Sequence, residues 1–142
     1  MLAAIFVLLV SCASSPSQMA QGAEPKMLFV GANPKSLYSA LEATLESRGY
    51  EAVRSNPESG EISAEKDLGT DKKFLWWEWS SLIKVRGSVG GGLSDEPSST
   101  LQLSCYKYLS RPLSDQPSID HTFDSNREKE AIRRSVRRKI TN

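Results

Sequence analysis

The chain has 142 residues, of which 39% are hydrophobic and 25% charged, as in one globular domain with a single core and unlike a disordered tract. Its formal net charge is +1, so the chain as a whole has no strong field for nucleic acid or for a membrane. Residues 124–142 differ, because seven basic and three acidic residues give them a net charge of +4. We therefore expect no nucleic-acid partner, and expect any electrostatic partner at the C-terminus.

The N-terminus has the pattern of an export signal followed by a lipidation motif. The apolar run Leu2–Val10 is shorter than the about 20 residues of a membrane-spanning helix, but it has the length of a signal-peptide core. It leads into Leu9-Val10-Ser11-Cys12, which resembles the lipobox of bacterial lipoprotein precursors. The resemblance implies that residues 1–11 are a signal peptide and that Cys12 receives a diacylglycerol thioether. Acyl chains at Cys12 would then anchor the protein to a membrane.

Residues 12–25 are small and polar, which is typical of a flexible tether between an anchor and a domain. Ala13 occupies the position where an aspartate favours inner-membrane retention in many Gram-negative species. The resemblance therefore implies the periplasmic face of the outer membrane. No Lys or Arg precedes the apolar run, which leaves open a start upstream of Met1. It also leaves open a secretory signal cut near Cys12, which would release a soluble periplasmic protein.

A strand and a helix are predicted at the start of the domain. Residues 27–30 form an apolar strand. Asn33 is a suitable N-cap and Pro34 suits the first helical position, where its missing N–H costs nothing. Gly49 is placed to end the helix in the left-handed conformation. The side chains at helical spacing that form its apolar stripe are Leu37, Ala40, Leu41, Thr44, Leu45 and Arg48.

Four further strands and a second helix follow. Residues 50–55 and 61–66 are predicted to pair antiparallel across a turn at 56–60. A long strand is predicted over 74–89, with Trp77 and Trp79 on its buried face, and a return strand over 100–109. The connection, residues 90–99, is predicted to be flexible. The last helix begins near Asp124 or Ser125 and has an apolar stripe of Ile132, Val136 and Ile140.

These elements predict an α+β fold: one domain over residues 26–142, with a small antiparallel sheet and two helices on one face. The predicted order is β-α-β-β-β-β-α. The sequences Arg48-Gly49-Tyr50 and Gly60-Glu61-Ile62 sit at element ends in a similar order to the small domains of envelope lipoproteins such as the BamC assembly factor. The resemblance implies a small α+β domain, and no functional residue is carried over from it.

No catalytic, metal or cofactor site is predicted. His121 is the single histidine and falls in a polar loop, and no Gly-x-Ser-x-Gly motif is present, so we predict a solvated side chain there. Cys105 alternates with Leu101 and Leu103 on the apolar side of a strand and is predicted to be a core residue. One imidazole and one thiol far apart do not make a zinc site.

Two features remain as candidate partner contacts. Trp76 is predicted on the more polar face of the long strand, where an exposed aromatic residue would suit a protein or sugar surface. Arg134 and Arg138 lie on the basic side of the last helix, where guanidinium groups suit an acidic partner or anionic lipid. The leading hypothesis is a non-enzymatic, lipid-anchored module that binds another envelope component, a protein in preference to lipid.

Two other functions stay open at this point. One is a small cell-wall-associated hydrolase, or an accessory to one, whose carboxylates the sequence does not single out. The other is a periplasmic carrier of an apolar ligand, which needs an empty apolar cavity between sheet and helices.

Overall fold

A computed structural model of the protein describes the backbone of residues 24–74, 77–91 and 98–142, and the side chains of these residues except 71–77. The predicted signal peptide, the predicted lipidation site Cys12 and Trp76 lie outside the described residues. The elements are β1 (Lys26–Val30), α1 (Pro34–Ser47), β2 (Glu51–Asn56), β3 (Glu61–Phe74), β4 (Trp77–Gly91), β5 (Ser98–Ser110), β6 (Ser118–Ile119) and α2 (Ser125–Thr141).

The strands form one antiparallel sheet in the order β1-β5-β4-β3-β2, and the short β6 pairs with β5. The chain begins at one edge with β1, crosses one face of the sheet as α1, and starts again at the other edge with β2. It then returns strand by strand until β5 lies beside β1. The predicted α+β fold is confirmed, with β6 as one strand more than the sequence indicated.

Both ends of α1 are closed by the residues that predicted them. The Asn33 side chain accepts a hydrogen bond of 2.8 Å from the backbone N–H of Ser36, and Pro34 is the first helical residue. Gly49 has a φ of +81°, and the backbone N–H of Tyr50 donates to the carbonyl of Leu45 at 2.9 Å. The helix therefore stops abruptly and the chain turns directly into β2.

Helix α1 lies on the sheet where β4 carries a glycine. A Cβ added at Gly87 would be 2.7 Å from Cδ2 of Leu41 and 3.1 Å from Cγ2 of Ile62. Both Leu41 and Leu103, the next strand's neighbour of Gly87, are fully buried. The absence of a side chain at Gly87 thus sets how closely the helix approaches the sheet.

The two faces of the sheet differ sharply in burial. Along β5, the residues that face the helices are buried, whereas their alternating neighbours are partly exposed. Ile132 and Val136 of α2 belong to the same apolar core as Leu41 of α1, so both helices cover one face. The opposite face has no helix over it in the described part of the chain.

The boundary between β3 and β4 was predicted wrongly. Residues 67–73, which lie between two predicted strands, continue β3, and Phe74 ends that strand opposite Trp77 instead of opening β4. Register shifts between Asp67 and Gly69 and between Thr70 and Lys72 accommodate the polar sequence. Gly69 has a φ of +68°, and its N–H donates to the Asp67 side chain at 2.7 Å. Bulges hide the alternation that identifies a strand.

Two smaller expectations also change. Gly90 and Gly91, predicted to be connection, are paired residues of β4 opposite Thr100 and Ser99. Trp79, predicted to be buried in the core, is partly exposed and lies against the guanidinium of Arg111, 4.8 Å from the ring centroid. It sits toward the end of the β3–β4 hairpin and is not part of the core beneath the helices. The side chain of Trp77 is outside the described residues.

Gly87→Ala should destabilise the fold by about 1–3 kcal/mol, because the added methyl group overlaps Leu41 in a packed interior. The measurement is the free energy of unfolding from urea denaturation. Gly91→Ala is the matched control, since a Cβ there meets no described atom within 4 Å, and it should be neutral or slightly stabilising. Equal effects of the two substitutions would contradict the close approach.

Candidate functional site

Helix α2 places Arg134 and Arg138 near the end of α1. The Asp124 side chain accepts a hydrogen bond from the N–H of Arg127 at 3.0 Å and caps the helix. Ile132 and Val136 of its apolar stripe are fully buried. The start of the domain is tied to the same helix, because Lys129 forms a 2.7 Å ion pair with Glu24.

A polar network joins the turn after α1, strand β3 and the first turn of α2. Glu128 accepts hydrogen bonds of 2.8 Å from both the guanidinium of Arg48 and the hydroxyl of Tyr50. Lys66 lies over the Tyr50 ring, 5.6 Å from its centroid, and donates to the Arg48 carbonyl at 2.8 Å. One carboxylate therefore holds the C-terminal end of α1 against the first turn of α2.

Burial and charge perturb the acids of this network. Desolvation raises the pKa of Glu128, but hydrogen bonds from Arg48 and Tyr50 and the charges of Arg48 and Lys66 outweigh it, so the pKa lies below its ordinary value. Desolvation, reinforced by the hydrogen bond to Glu128, raises the pKa of Tyr50. Glu128 is thus ionised at neutral pH and Tyr50 is a neutral donor.

Arg48 of this network also lines a basic groove, defined here as the concavity of about 730 Å³ between the C-terminal ends of the two helices. Arg134 and Arg138, one turn apart on α2, line it together with Arg48. Within the described residues, Arg48 is paired with Glu128, whereas neither Arg134 nor Arg138 has an acidic partner. The sequence therefore singled out two residues that the fold places on one surface.

The rest of the predicted basic side is less uniform. Arg133 has a side chain only 13% exposed and approaches Glu130 at 3.8 Å. Lys129 is buried by its pair with Glu24. Trp76 cannot be related to the basic groove, because it lies outside the described residues.

The face of the sheet without helices is a second candidate surface, which the sequence did not single out. Its central row crosses four strands through Arg54, Ser63, Arg86 and Ser104, which are direct neighbours in the register. The row lies in a concavity of about 580 Å³. Period-two alternation placed Arg86 on this face, but the cross-strand neighbours depend on a register that alternation does not determine.

The side chains with nucleophilic or ligating chemistry do not converge. Cys105 is buried, and desolvation raises the pKa of its thiol to about 12, as expected of a core residue. His121 is exposed in the turn before α2, as predicted. Across residues 24–74, 77–91 and 98–142, no group of three or more His, Cys, Asp or Glu side chains is placed to hold a metal ion. Neither helix in these ranges is long and apolar enough to span a membrane.

No family model and no curated protein matches the chain. Among solved structures, it is similar to a DUF4468 family protein from Bacteroides ovatus at 11% sequence identity and a TM-score of 0.38. The match covers 85% of this chain and 86% of that one. A likeness at this level carries no argument about family, ligand or activity.

Glu128→Gln should lower the free energy of unfolding by about 1–2 kcal/mol at neutral pH, because a charged acceptor of two partly buried hydrogen bonds is lost. The folded-state pKa of Glu128 is depressed, so its contribution is complete above the ordinary glutamate pKa and is lost as pH falls through the lower folded-state value. Urea denaturation at a series of pH values should therefore show wild type and variant converging in acid. A difference that persists or grows in acid would contradict this role.

Proposed function

We propose that the protein is a lipid-anchored module of the bacterial cell envelope that binds an acidic surface of another envelope protein without catalysing a reaction. The lipobox ending at Cys12 supports the anchor, and the tether over residues 12–25 supports a domain held near the membrane. The observation that carries the binding role is the basic groove, where Arg134 and Arg138 have no acidic partner among the residues that the structure describes.

The helix macrodipole accounts for part of this charge but not for all of it. Cations stabilise a helix C-terminus within its last turn, and Arg138 and Lys139 occupy that turn in α2. Arg134 lies a full turn earlier, where the effect has largely decayed. Its exposed guanidinium beside the partly buried Arg48–Glu128 pair is better suited to an external carboxylate.

The short tether keeps the domain near the membrane, and the shape and charge of the basic groove favour a protein partner there. Cys12 and the first described residue, Glu24, are twelve positions apart, which is at most about 40 Å of extended chain, so the domain of an anchored chain stays near the membrane surface. The basic groove is concave, and the neighbouring arginines Arg134 and Arg138 line it, which suits acidic side chains on a protruding segment of a protein. An anionic headgroup surface is flatter and would engage exposed cations such as Lys139 equally.

The anchor is tested by counting thiols in protein extracted from membranes. Cys105 is buried and should not react with a thiol reagent until the protein is denatured. If Cys12 carries a thioether, one thiol per chain titrates after denaturation, and the intact mass shows acyl chains on a polypeptide that begins at Cys12. Two titrating thiols with no added mass would reject the lipid anchor.

The partner is tested on the same protein by crosslinking in intact cells and mass spectrometry. Arg134→Gln with Arg138→Gln should reduce one specific crosslinked envelope protein by about tenfold or more, while Lys139→Gln leaves it unchanged. The control removes a cation of the same last turn that does not line the basic groove. Equal loss in both variants, no loss in either, or binding that only anionic vesicles reproduce would reject the proposed contact.

A further inference from the structure

Arg86 stands near the centre of the helix-free face of the sheet, on the middle strand β4. Its direct neighbours in the register are Ser63 on β3 and Ser104 on β5, each about 5 Å away between Cα atoms. The next residue on the same face of β4 is Ser88. Three short hydroxyl side chains therefore surround one long guanidinium, and they leave the space above the strands open.

None of these groups is engaged elsewhere in the described part of the chain. Arg86 is exposed and forms no ion pair there, and the hydroxyls of Ser63, Ser88 and Ser104 make no hydrogen bond there. The neighbouring Lys84, in contrast, is committed: it forms a 2.9 Å ion pair with Glu65 and lies 5.5 Å from the centroid of the Tyr108 ring. The unused donors are thus gathered at Arg86.

The charges that line this concavity do not cancel around Arg86. Lys84 is neutralised by Glu65, and Glu24 by Lys129. Arg54 and Arg86 remain, two strands apart and about 10 Å from each other between Cα atoms, with Glu61 as the one unpaired acid of the lining. The residual charge is therefore one positive, which complements a ligand with one negative charge.

We propose that the concavity centred on Arg86 is a binding site for a small carboxylate-bearing ligand. The planar fork of Arg86 matches a carboxylate in two parallel hydrogen bonds. Ser63 and Ser104, the neighbours of Arg86 on the two adjoining strands, offer hydroxyls on either side of it, and Arg54, two strands away, is available to a second polar group of the ligand. The volume of about 580 Å³ suits a molecule of dipeptide size. This site is separate from the basic groove and does not depend on the proposed function.

The test is a titration of the isotope-labelled full chain, followed by amide and guanidinium NMR. The probe is N-acetyl-alanyl-alanine, which ends in a carboxylate, and its C-terminal amide is the neutral counterpart. We expect saturable shifts confined to residues near 63, 86 and 104 with the acid and none with the amide. Inorganic phosphate is the third probe. Saturable binding of phosphate without binding of the acid would overturn the ligand class.

Variants assign the binding to the residues. Arg86→Gln should weaken binding of the acid by about tenfold to a hundredfold, and Ser104→Ala should weaken it by about twofold to tenfold. Arg127→Gln, an exposed arginine on the first turn of α2, is the matched control and should bind as wild type does. Equal response to acid and amide, no saturable shift with the acid, or undiminished binding by Arg86→Gln would each overturn the proposal.

Discussion

The close contact between Leu41 of α1 and Gly87 of β4 is the constraint on which the layering of this protein depends. A helix can lie this near a strand only where the strand has no side chain, and the missing Cβ at Gly87 provides that place at the middle of the sheet. Leu41 of α1, Ile62 of β3 and Leu103 of β5 all lie within 3.4 Å of the position that a Cβ at Gly87 would take, so side chains from the helix and both neighbouring strands fill the space above Gly87. The helices are thereby confined to one side.

Confinement of the helices to one face has a consequence for function. Antiparallel sheets tolerate one solvated face, and here that face carries serines and charged side chains instead of a second apolar layer. The Glu128 network fixes α2 beside α1, which brings Arg134 and Arg138 next to Arg48. Two polar surfaces, the basic groove and the concavity around Arg86, thus follow from one packing arrangement.

Local signals in the sequence predicted most of the fold. Asn33 and Gly49 close α1 as expected, because caps act within a few residues. The same signals failed at residues 67–73, where bulges removed the alternation, and at Trp79, whose burial depends on where the helices end. Neither property is local. Caps and helical stripes depend on residues close together in the sequence. Bulges, and the extent to which the helices cover a strand, depend on contacts between distant segments.

The candidate sites divide in the same way. Arg134 and Arg138 were predicted as a pair because helical spacing places them one turn apart. Their neighbour Arg48 lies at the end of the other helix and is held there by Glu128, 80 residues further along the chain. Period-two spacing from Trp76 places Arg86 on the face predicted to be more polar, whereas its neighbours Ser63 and Ser104 follow only from the register of β3, β4 and β5. Convergence across strands is what the sequence alone does not show.

The central claim is that one face of the sheet is covered and the other is open, and adjacent residues of β5 test it directly. In a chain carrying Cys12→Ser, the rate of thiol modification would be compared with and without Ser104→Cys. We predict that Cys105, on the covered face, stays unreactive while the thiol introduced at 104, on the open face, reacts in the folded protein. A protected thiol at 104, or a reactive Cys105 in the folded protein, would contradict the account.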